Sequence, residues 1–149
     1  MTGETVATGV RVRPATETDL PAIAALIGQL GYPTTAAAVR ERLAAIHAAG
    51  GQHVFVAEVD GEIAGLAAVQ ITRPVQMDGA RAELATLVTD GRVRRRGVAR
   101  ALVAEAEAIA RREGCALFYL RTNKRRTESH DFYRALGFQE THLDFEKEW

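Results

Sequence analysis

Val93-Arg94-Arg95-Arg96-Gly97-Val98-Ala99-Arg100-Ala101 stands between a strand-like run, Glu83-Leu84-Ala85-Thr86-Leu87-Val88-Thr89, and a run of helical periodicity from Val98 to Arg112. A strand, a short loop and a helix start together suit a pyrophosphate group. The first amides of a helix have no acceptor inside it, and the helix dipole favours negative charge there. Gly97 removes a Cβ where backbone has to approach a ligand closely. Arg92, Arg94, Arg95, Arg96 and Arg100 concentrate positive charge, with no acid between Asp90 and Glu105. The same residues also suit a solvated arginine loop ahead of an ordinary helix.

Working outward, Val98, Leu102, Ala106 and Ile109 form the inward stripe of that helix, and Gly114 closes it. Ala116 to Thr122 is nearly continuous apolar, as in a strand covered on both faces. Strand, crossover helix and strand make a βαβ unit, so the strand from Arg81 to Thr89 and this one are predicted parallel. Upstream, Val54–Val59, Asp60-Gly61 and Glu62–Ile71 read as a hairpin with a two-residue type I′ turn. Val10 to Arg13 predicts a first strand, and residues 1–9 a disordered tail. Thr16 or Thr18 caps a helix with Pro21 in its first turn, ended by Gly31-Tyr32-Pro33. A second helix runs from Thr35 to Ala48 with Val39, Leu43 and Ile46 inward. Pro74 to Gly79 is a loop, Glu128 to Ala135 a short helix, and Phe138 to Phe145 a last strand. The predicted order is βααβββαβαβ in one domain over residues 10–149.

Composition bounds the function. The chain has 149 residues, 47% of them hydrophobic, and a formal net charge of zero, as suits one globular domain with a sizeable core. Zero net charge gives no global pull toward nucleic acid or a membrane surface, so neither is an expected partner. Cys115 is the one cysteine, which excludes an intramolecular disulfide and a cysteine-cluster metal site. His47, His53 and His142 lack metal-ligand spacing, and no metal is expected. The first nine residues lack the regions of a signal peptide, and no apolar run spans a bilayer. The cytoplasm is the expected compartment.

Arg94-x-x-Gly97-x-Ala99 resembles the acyl-CoA signature of the GCN5-related N-acetyltransferases, (Gln/Arg)-x-x-Gly-x-(Gly/Ala). A second block, Ser129-His130-Asp131-Phe132-Tyr133-Arg134-Ala135-Leu136-Gly137-Phe138, resembles the same family's (Ala/Ser)-x-x-Phe-Tyr-x-x-x-Gly-Phe helix and turn. Two blocks in this order make the resemblance strong, and it covers roughly Val10 to Phe145. It implies an α/β fold with a mixed, mostly antiparallel sheet, two splayed central parallel strands and flanking helices. It implies acetyl-CoA as co-substrate and direct transfer of its acetyl group to a primary amine. Small amines, amino acids, aminoglycoside-like compounds, aminoalkylphosphonates and protein lysines or N-termini all stay open as acceptors, and one domain's length tilts the expectation toward a small molecule over a protein amine. Amides of Arg95, Arg96, Gly97, Val98 and Ala99, with Arg94 beside them, would hold the pyrophosphate, and Arg95, Arg96 or Arg100 would meet the 3′-phosphate. A bulge within Thr86-Leu87-Val88-Thr89 would free an amide near Leu87 or Val88 to stabilise an oxyanion. Asn123 and His130 would contact the cofactor. Tyr133 would be the general acid, protonated at neutral pH, and Glu83, or a water chain, the base. Family members often dimerise, which makes a homodimer an expectation too.

Two other classes stay open on the sequence. One is a fold relative that binds acyl-CoA as a sensor without turnover. The other is a phosphate- or nucleic-acid-binding module built on the Arg92–Arg100 loop. Loops around Gly31-Tyr32-Pro33, Thr72 to Gly79 and Thr141 to Trp149 would line the acceptor side, where Asp78, Asp144, Glu146 and Glu148 could attract a cationic amine.

Overall fold

Turn residues and apolar alternation divide the chain into segments that each have a face to cover. The computed structural model describes residues 5–7, 9–93 and 97–149. Among these the strands are β1 (Thr5–Ala7), β2 (Val10–Pro14), β3 (Gln52–Val59), β4 (Glu62–Thr72), β5 (Ala80–Thr89) and β6 (Cys115–Leu120). They lie side by side in chain order, antiparallel throughout except for the parallel pair β5–β6. Helices α1 (Leu20–Leu30) and α2 (Ala36–Ala49) join β2 to β3, α3 (Val98–Arg112) crosses from β5 to β6, and α4 (Thr127–Ala135) follows β6. This is a mixed, mostly antiparallel α/β sheet flanked by helices. No helix among the described residues is long and apolar enough to cross a membrane.

Local chemistry accounts for the boundaries. Asp19 accepts from the Thr16 amide at 2.7 Å as half of a capping box ahead of α1, Pro21 lies in the first turn, and Gly31 ends the helix at φ 110°. The Thr35 hydroxyl accepts from the Ala38 amide at 3.1 Å and caps α2. Asp60 (φ 52°) and Gly61 (φ 79°) turn β3 into β4 with the two positive φ values of a type I′ turn. Arg13 of β2 donates to both Asp19 oxygens, at 2.7 and 2.8 Å, and to Glu58 of β3 at 2.8 and 3.0 Å. One largely buried guanidinium thus joins two strands to the start of α1, and its hydrogen bonds hold the Asp19 carboxyl below the usual range.

Helices cover both faces of the sheet. Leu102, Ala106 and Ile109 of α3 pack with Val12, Phe55, Ala67, Val69, Ala82 and Leu84. Leu20, Ile23 and Leu26 of α1 and Val39 of α2 pack with Val56, Leu66 and Val88 on the other face. Strand alternation explains Phe55 and Val56 on opposite sides. It does not by itself explain Leu84 and Val88, which share a parity and face opposite layers. The cause is a bulge: Val69 pairs with Leu84 and Ala68 with Thr86, which leaves Ala85 unopposed. One extra residue inverts the facing of everything after it.

Two segments depart from expectation. Residues 1–9 were expected as a disordered tail, but Thr5–Ala7 forms β1 and pairs with β2 around Gly9 (φ 79°). A three-residue alternation is too short a signal to register in sequence. The expected last strand over Phe138 to Phe145 does not form, and Leu143, Phe145 and Trp149 are exposed. Alternation supplies a face but not a partner. Side chains tether this segment instead, through Arg134–Glu140 at 3.4 Å and Arg121–Asp144 at 3.8 Å. The parallel pair β5–β6 consequently stands at one end of the described sheet.

The approach of α3 to the sheet is unusually close at one point. A Cβ on Gly65 would lie 2.7 Å from Val98 Cγ1 and 2.8 Å from Leu102 Cδ1. Gly65→Ala is therefore expected to overpack the first turn of α3 and cost about 1–3 kcal/mol, read as a lower urea midpoint with unchanged m. An unaltered midpoint would mean that Val98 and Leu102 move aside freely.

Candidate active site

β5 and β6 begin as a parallel ladder and then part. Their pairing runs from Ala80↔Cys115 to Leu84↔Leu120 and stops where the Ala85 bulge begins. Beyond it the β5 edge that faces β6 has no strand partner among the described residues. Backbone N–H groups on such an edge need other acceptors. A cleft of about 800 Å³ opens there. Leu84 to Leu87 form one wall, Leu120 to Asn123 with Arg125, Arg126 and Tyr133 another, and α1 and α2 close the side with Ile23, Ile27, Val39, Arg42 and Leu43.

The bulge expected within Thr86–Thr89 falls one residue earlier, at Ala85. Leu87 lines the cleft, whereas Val88 is 8% exposed in the α1/α2 core and Thr89 pairs with Gly65. At the far end of the loop, Gly97 adopts φ 78° as the N-cap of α3. The Ala101 amide makes the first bond of the helix, to the Gly97 carbonyl at 3.0 Å, so the amides of Val98, Ala99 and Arg100 have no acceptor within it. Arg94, Arg95 and Arg96 lie outside the described residues.

Asp90, not singled out in the sequence, fastens the strand to this loop. Its amide donates to the Ala64 carbonyl at 2.8 Å, and its nearly buried carboxylate accepts from the Arg92 amide at 3.0 Å and from Nη2 of Arg92 at 2.7 Å. Hydrogen bonds from the Arg92 side chain, and next from its amide, hold the Asp90 carboxyl down at about 2. Gln29 of α1 accepts from the Gly91 amide at 3.1 Å and ties the loop to the opposite layer. One of the five arginines of the signature region is thus committed to holding the loop.

On the other wall, the Asn123 side-chain oxygen accepts from the Arg125 amide at 2.9 Å. His130 Nε2 lies 2.8 Å from the Asn123 carbonyl. A carbonyl only accepts, so Nε2 carries the proton and His130 clamps the loop before α4. Tyr133 packs edge-on against Phe132 and Phe138, at 5.4 and 5.8 Å between centroids. Its hydroxyl makes no hydrogen bond to a described residue. Burial pushes its pKa up, against the opposing charge of Arg126.

Glu83 does not line the cleft. Its carboxylate is 3.7 Å from Arg121 Nε, which also lies 3.8 Å from Asp144. Asp78, Glu146 and Glu148 do not line it either. The charged residues that do are Arg42, Arg121, Arg125 and Arg126. Arg42 stands at i+3 from Val39 on the inward stripe of α2, where apolar periodicity carries no signal for a charged residue. Among the described residues no cluster of His, Cys, Asp or Glu could hold a metal ion.

Asp90→Asn keeps the shape but removes the charge that Arg92 and the loop amide use, and is expected to cost about 1–2 kcal/mol. The depressed pKa fixes the sign. In the native protein this stabilisation is complete above the ordinary carboxylate range and is lost as pH falls toward 2. The deficit of the variant should shrink over that interval in urea titrations, and a pH-independent deficit would show that the charge is not what matters.

The comparisons with known proteins agree with this geometry. A family model described as the acetyltransferase (GNAT) family matches residues 22–138. The chain is 29% identical over 141 residues to the aminoalkylphosphonate N-acetyltransferase of Salmonella typhimurium, covering 91% of this chain and 89% of the relative. It superposes on a transcriptional regulator from Bacillus halodurans C-125 with TM-score 0.86 and 26% identity over 94% of this chain and 99% of the other. An aminoglycoside N-acetyltransferase in complex with CoA gives TM-score 0.80 and 25% identity over 98% of this chain and 96% of the other. With the family model matching most of its length, the chain belongs to the acetyltransferase (GNAT) family.

Proposed function

We propose that this protein transfers the acetyl group of acetyl-CoA directly to a primary amine of a small molecule, with residues 10–149 as the single catalytic domain. The observation that carries the reading is the cleft itself: a parallel strand pair that parts at a bulge, with a Tyr133 hydroxyl at its wall that has no hydrogen-bond partner among the described residues. The family match and the CoA complex of a similar structure support it. The reading includes a soluble cytoplasmic enzyme with no nucleic-acid or membrane role, and a homodimer.

The chain's groups fit the co-substrate. The amides of Val98, Ala99 and Arg100 at the α3 N-terminus, where the dipole favours negative charge, hold the pyrophosphate with Gly97 and Arg94 to Arg96. Acetyl-CoA supplies the thioester, and this chain supplies position, an oxyanion donor and a proton. A β5 amide near Leu87 or Val88 donates to the carbonyl oxygen as it gains charge. Tyr133 gives its proton to the departing thiolate sulfur; a raised pKa keeps that proton in place at neutral pH. Glu83 takes the proton of the amine through water, and His130 acts by holding the Asn123 loop.

Calorimetric titration with acetyl-CoA, followed by detection of thiol release with an amine panel, tests the whole reading; no binding at millimolar acetyl-CoA would sink it. Tyr133→Phe is expected to lower kcat by about two to four orders of magnitude while the acetyl-CoA Kd stays nearly constant, and unchanged turnover would remove Tyr133 as the acid. Glu83→Gln is expected to move the rising limb of the kcat/KM–pH profile, and an unmoved limb would leave the proton to water alone.

A further inference from the structure

Helix α2 turns Val39, Arg42, Leu43 and Ile46 toward the cleft, at the i, i+3, i+4, i+7 spacing of one helical face. Three of these are apolar and bury or half-bury their side chains. Arg42 is the exception, a permanently charged guanidinium on an otherwise apolar stripe. It donates to the Thr34 hydroxyl and meets no carboxylate among the described residues. Several other arginines do meet one. Arg11 and Arg13 meet Glu58, Arg40 meets Glu17, Arg92 meets Asp90, and Arg134 meets Glu140. Arg125 and Arg126 also reach the cleft, with no carboxylate partner among the described residues, and none of the described carboxylates lines it.

A cleft whose charged lining is all arginine repels a polycationic amine and attracts an anion. Arg125 and Arg126 stand beside Asn123 and Tyr133, on the wall that the acetyl-CoA reading gives to the co-substrate. Arg42 projects from the α2 wall, across from them. We infer that Arg42 binds an anionic group on the acceptor, so that the substrate is a small primary amine bearing a phosphonate, phosphate or carboxylate. This rests on the acetyl-transfer reading above and narrows it. The planar guanidinium offers two parallel N–H donors to such a group, and the Thr34 hydroxyl, accepting from Nη2, fixes its orientation. The expectation of a cationic acceptor drawn by Asp78, Asp144, Glu146 and Glu148 is replaced, since none of them lines the cleft.

The test is steady-state acetylation of four amines of similar length, namely aminoethylphosphonate, β-alanine, ethanolamine and putrescine, by the native protein, Arg42→Gln and Arg42→Lys. Acetyl-CoA binding to each protein is measured in parallel. Native kcat/KM should be higher for the phosphonate or the carboxylate than for ethanolamine and putrescine, and the ratio of those two identifies the anion preferred. Arg42→Gln should lose on the order of 10–100-fold for the anionic amines, mainly in KM, with acetyl-CoA affinity and ethanolamine turnover unchanged; Arg42→Lys should recover part of the loss. Equal or better turnover of ethanolamine or putrescine would overturn the inference. So would an Arg42→Gln variant that keeps the anionic preference, or acetyl-CoA binding with none of the four amines acetylated. Absence of acetyl-CoA binding would instead overturn the acetyl-transfer reading on which it rests.

Discussion

The structure turns on the point at which β5 leaves β6. A parallel ladder satisfies both strands' backbone groups, and ending one inside a fold leaves N–H and C=O groups that must find other partners. Here the ladder ends at Leu84↔Leu120, and the extra residue, Ala85, re-aims the rest of β5. The bulge does two things at once. It turns Val88 toward α1 and α2, so that the second layer has a core. It also leaves a strip of β5 edge facing a cleft, where backbone amides can be offered to a substrate without breaking the strand.

A cleft made by parting strands would be soft without fastenings on both sides. On the β5 side these are Gly65, which admits α3 to near contact with β4, and Asp90, which binds the strand end to Ala64 and to Arg92. Gln29 adds a tie to α1. On the β6 side, Asn123 accepts from Arg125 and from His130, and Tyr133 is wedged between Phe132 and Phe138. Both walls are therefore held by local hydrogen bonds and packing at the ends of elements. The Arg13–Asp19–Glu58 cluster performs the same task for the α1 layer, far from the cleft.

Much of this was legible in the sequence, for a reason that also marks the limit. Periodicity, caps and turn residues are local quantities, so α3 from Val98 to Arg112, the Asp60-Gly61 turn and the second helix starting at about Thr35 followed from reading neighbours. Pairing is not local. Phe138 to Phe145 ends on an alternating Leu143-Asp144-Phe145 but forms no ladder, and Thr5–Ala7, too short to signal a strand, pairs with β2 all the same. The site shows the same division. Tyr133 and Gly97 stand in motifs, so the sequence alone draws attention to them, and they lie at the cleft wall and at the N-cap of α3. Asp90 and Arg42 lie against partners or surfaces that the sequence does not juxtapose, and His130, expected to contact the cofactor, faces the Asn123 carbonyl.

The charge of the cleft links the proposed acceptor to the proposed proton transfers. A cluster of guanidinium groups favours a departing thiolate and an anionic tail, and it disfavours an ammonium in the same space. An amine entering with its anionic end on Arg42 would bring its cationic end into that field, and the field lowers the cost of losing the ammonium proton. The demand on a general base falls accordingly, which suits the proposed role of Glu83, a carboxylate that stands behind Arg121 rather than in the cleft and would reach the amine only through water. Tyr133 is placed for the complementary need. Burial raises its pKa and Arg126 opposes that rise, so in the proposed role the proton would stay until negative charge develops on sulfur, and Arg126 would limit the cost of the phenolate left behind.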